Sequence, residues 1–104
     1  MTLYIAGSIT GIVDYKERFA RAEKKLRRLG YGVINPTTLA HKNTEDWLAC
    51  MRLDIATMMQ KADGVALLDG WRGSRGARIE EMLAHSLGIQ TELLEVWCRN
   101  AGRT

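Results

Sequence analysis

The chain has 104 residues, 46% of them hydrophobic, which is enough for one domain with a modest core. Its net charge of +3 permits an anionic small molecule or a nucleic acid as a ligand and requires neither. Cys50 and Cys98 lack metal-ligand spacing, so we expect two free thiols, no metal site and no cofactor. No apolar run approaches membrane-spanning length and no signal peptide is evident, which predicts a cytoplasmic protein without a membrane partner.

Hydrophobic periodicity predicts short apolar strands that alternate with amphipathic helices. In the first half, the predicted elements are a strand at 3–6, a loop at 7–11, a helix at about 14–29, a strand at 31–34 and a loop at 37–42. In the second half, they are a helix capped by Asn43 or Thr44 that runs to about Lys61, a strand at 64–68, a helix at 77–87, a strand at 90–96 and a frayed tail at 99–104. Such alternation implies parallel pairing with right-handed crossovers. The prediction is one α/β domain over residues 1–104, Rossmann-like, with a parallel four- or five-stranded sheet flanked by helices.

Three predicted loops should meet at the carboxyl ends of the parallel strands, where α/β folds bind ligands. They span 7–11, 35–42 and 69–76. The third, Asp-Gly-Trp-Arg-Gly-Ser-Arg-Gly, is the most informative, because its glycines allow a ligand to approach the backbone closely. Ser74 lies in this turn, and Glu80 follows six residues later in the predicted helix. A hydroxyl and a carboxylate beside a glycine-rich turn indicate a candidate site.

Several residues near these loops have ordinary explanations when each is considered alone. Glutamate is common in the early turns of helices, which is the simplest interpretation of Glu80. Trp71 at the loop tip could stack on a base or cover the edge of the core. His41 and His85 are isolated in the sequence and are interpreted as surface or loop histidines. The Gly-Ser-Ile-Thr-Gly loop lacks the spacing of a dinucleotide or P-loop motif, and it becomes more informative opposite a hydroxyl and arginines that could hold a phosphate.

Three motifs in the same order resemble the nucleoside 2-deoxyribosyltransferase-like superfamily. They are Leu-Tyr-Ile-Ala-Gly-Ser-Ile-Thr-Gly at 3–11, Arg-Leu-Asp-Ile at 52–55 followed by Ala-Asp-Gly-Val at 62–65, and Ser-x-Gly-x-x-x-Glu at 74–80. The superfamily includes transferases that exchange bases on deoxyribose, and deoxynucleoside 5′-monophosphate N-glycosidases. The chain is most similar to a small phage and bacterial branch, which shares the Ser-Arg-Gly-Ala-Arg run and the Asn-Pro after the second strand. The resemblance extends over residues 3–88.

The resemblance implies a catalytic role for three residues. Glu80 would be the nucleophile that attacks the anomeric carbon to give a glycosyl ester, which water or an incoming base then resolves. Its position near a helix N-terminus leads us to expect an ionised carboxylate at neutral pH. Asp54 matches an acid that lies over the sugar and base and could assist protonation of the leaving base. Tyr4 matches a strand tyrosine close to the site.

The resemblance also implies a set of substrate-binding residues, some of which match contacts to a 5′-phosphate and one of which does not. Ser74 and Ser8 match serines that contact the 5′-phosphate in the monophosphate enzymes, whereas Thr10 stands where those enzymes usually carry arginine. Arg72 or Arg75 could replace that arginine. Members of the superfamily assemble as dimers or higher oligomers, so a homodimer or a higher homo-oligomer is implied. The substrate-binding residues expected are Gly7, Ser8, Thr10, Gly11, Trp71, Ser74, Arg75 and Gly76.

The leading hypothesis is therefore an enzyme that cleaves or transfers at the N-glycosidic bond of a 2′-deoxynucleoside or its 5′-monophosphate. A non-catalytic nucleotide-binding module that senses or sequesters its ligand is the first alternative. The second is a nucleic-acid-binding accessory protein that uses the basic first helix, although the absence of interleaved stacking residues makes nucleic acid a less expected partner. The basic residues of that helix are Arg18, Arg21, Lys24, Lys25, Arg27 and Arg28. The base, the sugar's 2′ substituent, the phosphorylation state, and hydrolysis versus transfer remain open from sequence.

Overall fold

In the computed structural model, which describes residues 1–102, four strands form one all-parallel sheet. The strands are β1 (Thr2–Ala6), β2 (Gly32–Ile34), β3 (Gly64–Leu67) and β4 (Gln90–Leu93), in the spatial order β2-β1-β3-β4. The chain adds β2 on one side of β1 and then β3 on the other side. The connections after β1 and β3 therefore leave in opposite directions and open a crevice between them. The predicted α/β fold with a parallel sheet is confirmed, with four strands among the described residues.

Helices cover both faces of this sheet, and alternate residues of β1 supply the two cores. The helices are α1 (Tyr15–Arg28), α2 (Trp47–Lys61), α3 (Arg75–Ser86) and α4 (Leu94–Arg99). Leu3 and Ile5 pack with residues of α1 and α4, whereas Tyr4 and Ala6 pack with residues of α2 and α3. Because side chains alternate across a strand, Tyr4 is directed to the α2–α3 side of the sheet.

The starts of α2 and α3 are set by side-chain caps that differ from the predicted boundaries. Asp46 Oδ1 accepts a hydrogen bond from Ala49 N at 3.0 Å and caps α2. The predicted cap Asn43 instead accepts from a backbone N–H in the preceding turn. Ser74 Oγ accepts from Ala77 N at 3.2 Å, so α3 begins at Arg75. The earlier start brings the first turn of α3 into the glycine-rich loop.

The predicted fourth strand at 90–96 is too long, because the chain turns into α4 after Leu93. Trp97 accounts for the turn: its side chain is buried, and its Nε1 donates a hydrogen bond to Val65 O at 2.8 Å. The indole lies so close to β3 that a Cβ at Gly64 would come within 2.7 Å of it. Burying the indole against the sheet outweighs the weak strand pattern of these residues. Of the predicted tail, residues 99–102 end α4 and turn, and residues 103–104 lie outside the described part.

Candidate active site

A cleft of about 620 Å³ opens where the loops after β1, β2 and β3 meet. This volume falls within the range of about 300–1,000 Å³ that is usual for small-molecule sites. The cleft brings together most of the residues that the sequence proposed, namely Tyr4, Gly7, Ser8, Thr10, Asp54, Ser74, Arg75, Gly76 and Glu80. Their convergence follows from the parallel sheet, because the carboxyl ends of its strands share one edge.

Glu80 and Tyr4 form a buried hydrogen-bonded pair within the cleft lining. Tyr4 is fully buried and Glu80 is 5% exposed, and Tyr4 Oη donates to Glu80 Oε2 at 2.5 Å. Tyr4 is the third residue of β1, and Glu80 lies in the second turn of α3. One oxygen of the Glu80 carboxyl is thereby fixed by the tyrosine. The pair places a potential nucleophile against a rigid strand.

The expectation of an ionised Glu80 at neutral pH is wrong for the unliganded protein. Burial raises the pKa of Glu80 from 4.5 to about 8, and the charge of Asp54 adds to the rise. The hydrogen bond from Tyr4 lowers the pKa, but by less than burial raises it. Glu80 is the sixth residue of α3, beyond the first turn in which the helix dipole acts. About one-tenth of Glu80 is therefore ionised at pH 7.

Asp54 provides a second carboxyl in the cleft, and His41 is its partner. His41 Nε2 lies 2.7 Å from Asp54 Oδ1, and the two side chains are only 13% and 10% exposed. Burial raises the pKa of Asp54, whereas the hydrogen bond and the positive charge of His41 lower it. The interpretation of His41 as a surface or loop histidine is half right: it lies in a loop, but its ring is largely covered. Its contact with Asp54 depends on tertiary packing, and no local sequence signal indicated it.

The serines of the cleft are already engaged with the backbone. Ser8 Oγ donates to Gly70 O at 3.1 Å, which joins the loops after β1 and β3. Ser74 Oγ accepts the N–H of Ala77 as the cap of α3, so its own O–H proton remains free for a ligand. The first N–H groups of a helix have no partner within the helix, and here they lie at the cleft. The N-terminus of α3 is thus suited to an anion.

Lys16, His41 and Trp47 are among the cleft residues that the sequence did not propose. The guanidinium of Arg75 lies 4.4 Å from the ring centroid of Trp47, a cation–π contact that joins α3 to α2. Close packing also holds these helices together, because a Cβ at Gly76 would come within 3.1 Å of a sulfur on α2. The capping residues that start both helices were the sequence signal that could have placed Trp47 near the site.

Two predicted substrate-binding residues, Gly11 and Trp71, do not line the cleft. Gly11 occupies a turn with φ of +79°, a conformation that suits glycine and explains its presence there. Trp71 packs against the α2–α3 core, so it covers the edge of the core as the sequence alternative stated. Arg72 lies over Trp71, with 5.3 Å between its guanidinium carbon and the ring centroid. Of the two arginines proposed to contact a phosphate, only Arg75 lines the cleft.

Within residues 1–102, no group of three or more His, Cys, Asp or Glu side chains has an arrangement that could hold a metal ion. The same part of the chain contains no helix long and apolar enough to cross a membrane. The described cleft offers carboxyls, hydroxyls, the thiol of Cys50, one imidazole and cationic side chains as its chemical groups.

The chain belongs to a family of domains of unknown function, DUF4406, whose family model matches residues 1–92. No curated protein and no solved structure matches the chain. The family match extends from β1 almost to the end of β4 and includes all the cleft residues. It assigns them no chemistry, so a function must be inferred from the site itself.

Proposed function

We propose that the protein cleaves, or cleaves and re-forms, the N-glycosidic bond of a 2′-deoxynucleoside 5′-monophosphate or of the nucleoside itself, through a glycosyl ester on Glu80. The observation that carries this proposal is the buried Tyr4–Glu80 pair in a cleft of about 620 Å³ that also contains Asp54. Most enzymes that cleave glycosidic bonds use two carboxyl groups that lie in different environments. The resemblance of the motifs to the nucleoside 2-deoxyribosyltransferase-like superfamily points to the same reaction.

In the first step, the ionised carboxylate of Glu80 attacks the anomeric carbon while the bond to the base nitrogen breaks. The base leaves with the bonding electron pair and takes a proton, which Asp54 supplies. Positive charge develops on the sugar in this transition state. A carboxylate in a site with little water stabilises that charge strongly, so burial of Glu80 aids the reaction even though it raises the pKa of the free group.

In the second step, water or an acceptor base attacks the same carbon and the ester bond to Glu80 breaks. The electron pair of that bond returns to the Glu80 carboxylate. When water attacks, its proton passes to Asp54, which restores the starting state. Because the unliganded Glu80 has a pKa of about 8, kcat/KM should rise as pH increases toward 8.

The N-terminus of α3 favours a phosphorylated substrate. The free hydroxyl proton of Ser74, the first N–H groups of the helix and the guanidinium of Arg75 all lie at the cleft. Substitution of Arg75 by Gln should lower kcat/KM for the monophosphate by about 10-fold or more and change that for the nucleoside little, because charge-assisted bonds contribute about 1.5–3 kcal/mol. Arg72→Gln is the matched control, because Arg72 stacks on a tryptophan outside the cleft.

The deciding experiment for the reaction is incubation with deoxynucleosides and their monophosphates, with and without an acceptor base, followed by chromatography of the free base. Glu80→Gln should reduce base release by at least about 10³-fold, since a nucleophile acts as part of a unit with its partners. Glu81→Gln is the matched control because Glu81 is the next residue on α3 and does not line the cleft. Full base release by Glu80→Gln would refute the mechanism.

A non-catalytic nucleotide-binding module is the second candidate, and one observation favours it. At pH 7 Glu80 is largely protonated in the unliganded protein, so it can donate a hydrogen bond to a ligand but cannot attack it. If no substrate yields free base and Glu80→Gln binds nucleotides as tightly as the wild type, the protein is a binding module. Calorimetric titration with the same nucleotides gives this comparison.

A homodimer is also part of the proposal. Apolar side chains that face outward from α2 and α3 supply candidate contact surface: Leu48 is 53% exposed, Met59 41% and Met82 55%. Contiguous apolar patches mark association sites, and these side chains are the candidates for such a patch here. Sedimentation equilibrium at micromolar concentration tests the assembly, and a monomer at all concentrations would contradict it.

A further inference from the structure

His41 forms a hydrogen-bonded pair with Asp54 in the cleft, and neither of the two proposed steps assigns a role to its imidazole. His41 lies in the loop after β2, and its Nε2 atom is 2.7 Å from Asp54 Oδ1 on α2. Both side chains are largely buried and both line the cleft. An imidazole and a carboxyl at this distance share a hydrogen-bonding proton.

Specific contacts hold His41 at this position. Asn35 Oδ1 accepts hydrogen bonds from Thr37 N at 3.0 Å and from its hydroxyl at 2.7 Å. Asn35 Nδ2 in turn donates to Glu23 Oε1 at 3.0 Å, which fixes the turn against α1. The backbone N–H of His41 then donates to Leu39 O at 2.9 Å. These hydrogen bonds fix the backbone of the loop, so the imidazole of His41 is held toward α2.

The surroundings of the pair explain why an imidazole matters there. Tyr4, Asp54 and Glu80 are three acidic groups in one cleft, and their charges oppose one another's ionisation. His41 is the imidazole among the lining residues, and it is the cleft residue whose hydrogen bond reaches Asp54. The other titratable side chains that line the cleft are Tyr15, Lys16, Cys50 and Arg75.

We propose that His41 is a positioning residue for Asp54, holding the carboxyl in place and exchanging with it the proton that the leaving base receives. This inference rests on the proposed function. The pair begins with one proton. When the bond between the sugar and the base breaks, the electron pair goes to the base nitrogen, Asp54 transfers the proton to it, and both members of the pair are left deprotonated. When water attacks the glycosyl ester, the released proton returns to the pair.

The substitution His41→Gln tests this role because its amide nitrogen takes the place of Nε2, so it can still donate a hydrogen bond to Asp54 but cannot exchange the proton. Base release should fall about 100-fold with the natural base, since a positioned proton donor contributes about 10²–10⁴-fold. KM should change by less than about 3-fold, because His41 acts on the transition state. His85→Gln is the matched control, since His85 is an exposed histidine near the end of α3.

A comparison of leaving groups separates proton supply from a merely structural role. In the second substrate the base is modified so that its departure needs less protonation. It is either an N7-methylated purine or a 5-fluorinated pyrimidine. The loss caused by His41→Gln should shrink from about 100-fold to less than about 10-fold with that substrate, because a better leaving group needs less help from an acid. An equal loss with both substrates would overturn the proposal, and so would no loss with either.

The outcomes also distinguish this inference from the proposed function. Base release that depends on Glu80 but is indifferent to His41 would overturn the role of His41 alone. No base release by the wild type from any substrate would overturn both. If His41→Gln is poorly folded by urea unfolding, His41→Asn replaces it, and the comparison of leaving groups is repeated with that variant. In addition, the ring ¹⁵N signals of His41 in the intact protein should move on Asp54→Asn while those of His85 stay fixed, and unmoved His41 signals would contradict the contact.

Discussion

The burial of Glu80 should make the stability of the protein depend on pH in a way that one substitution removes. Folding raises the pKa of Glu80 from 4.5 to about 8, so between these values the folded state binds a proton that the unfolded state has lost. The stability from this proton is fully present below pH 4.5 and is lost as pH rises through about 8. Glu80→Gln resembles the protonated acid at every pH and should not show the loss.

The magnitude follows from the width of the pKa shift. Each pKa unit corresponds to about 1.4 kcal/mol, so the shift from 4.5 to about 8 amounts to about 5 kcal/mol in all. By pH 7, about 3 kcal/mol of this difference should have developed. Such a difference is large beside the usual stability of a domain, which is about 5–15 kcal/mol. The free energy of unfolding of Glu80→Gln, minus that of the wild type, should therefore increase from pH 4.5 to about pH 8 and level off above it.

Urea unfolding followed by tryptophan fluorescence measures this difference, because Trp97 is buried in the folded protein. Ionisable groups that do not interact with Glu80 act equally in both proteins, so their effects cancel in the comparison. Glu81→Gln is the control: it removes a carboxyl from the neighbouring position of α3, where the side chain is only partly buried. A difference between Glu80→Gln and the wild type that stays constant from pH 4.5 to pH 9 would refute the argument from burial.

Two further substitutions test the hydrogen bonding in the cleft and the packing of the core on the opposite face of the sheet. Tyr4→Phe removes the hydrogen bond that lowers the pKa of Glu80, so the rise of kcat/KM with pH should move to higher pH. Tyr31→Phe is the control and should not move it, because the hydroxyl of Tyr31 bonds to the backbone outside the cleft. Gly64→Ala should cost about 1–3 kcal/mol in urea unfolding, because the new Cβ would come within 2.7 Å of the indole of α4. Gly73→Ala is its control, since a Cβ there meets nothing within 4 Å, and an equal cost at both positions would contradict the steric explanation.

The sequence was sufficient to predict the sheet and the place of the cleft, because both follow from local patterns. Short apolar runs gave the strands, and the glycine-rich loop after β3 marked an edge where ligands bind. The pairing of His41 with Asp54 could not be predicted, since residues 13 positions apart meet only through the packing of a loop on a helix. Local patterns identify elements, and tertiary contacts decide which side chains face one another.

The errors at Glu80 and α4 have the same origin. The helix-dipole argument for Glu80 used its place in the sequence, but burial by the surrounding core dominates its pKa. The strand pattern before Trp97 carries no sign of the space that Gly64 leaves beside β3, which the indole of Trp97 fills. In both cases a long-range contact outweighed a weak local preference.

The indole of Trp97 has a consequence for where this domain ends. The family match stops at residue 92, yet the indole that fills the space beside Gly64 and bonds to Val65 O belongs to the chain that follows. A protein truncated at the family boundary would leave a gap in the core beside Gly64 and would lose the hydrogen bond from the indole to Val65 O. We therefore expect the smallest unit that folds on its own to extend at least through Trp97. Positions 64 and 97 should tolerate replacement only together, with a smaller ring at position 97 when the residue at position 64 is larger.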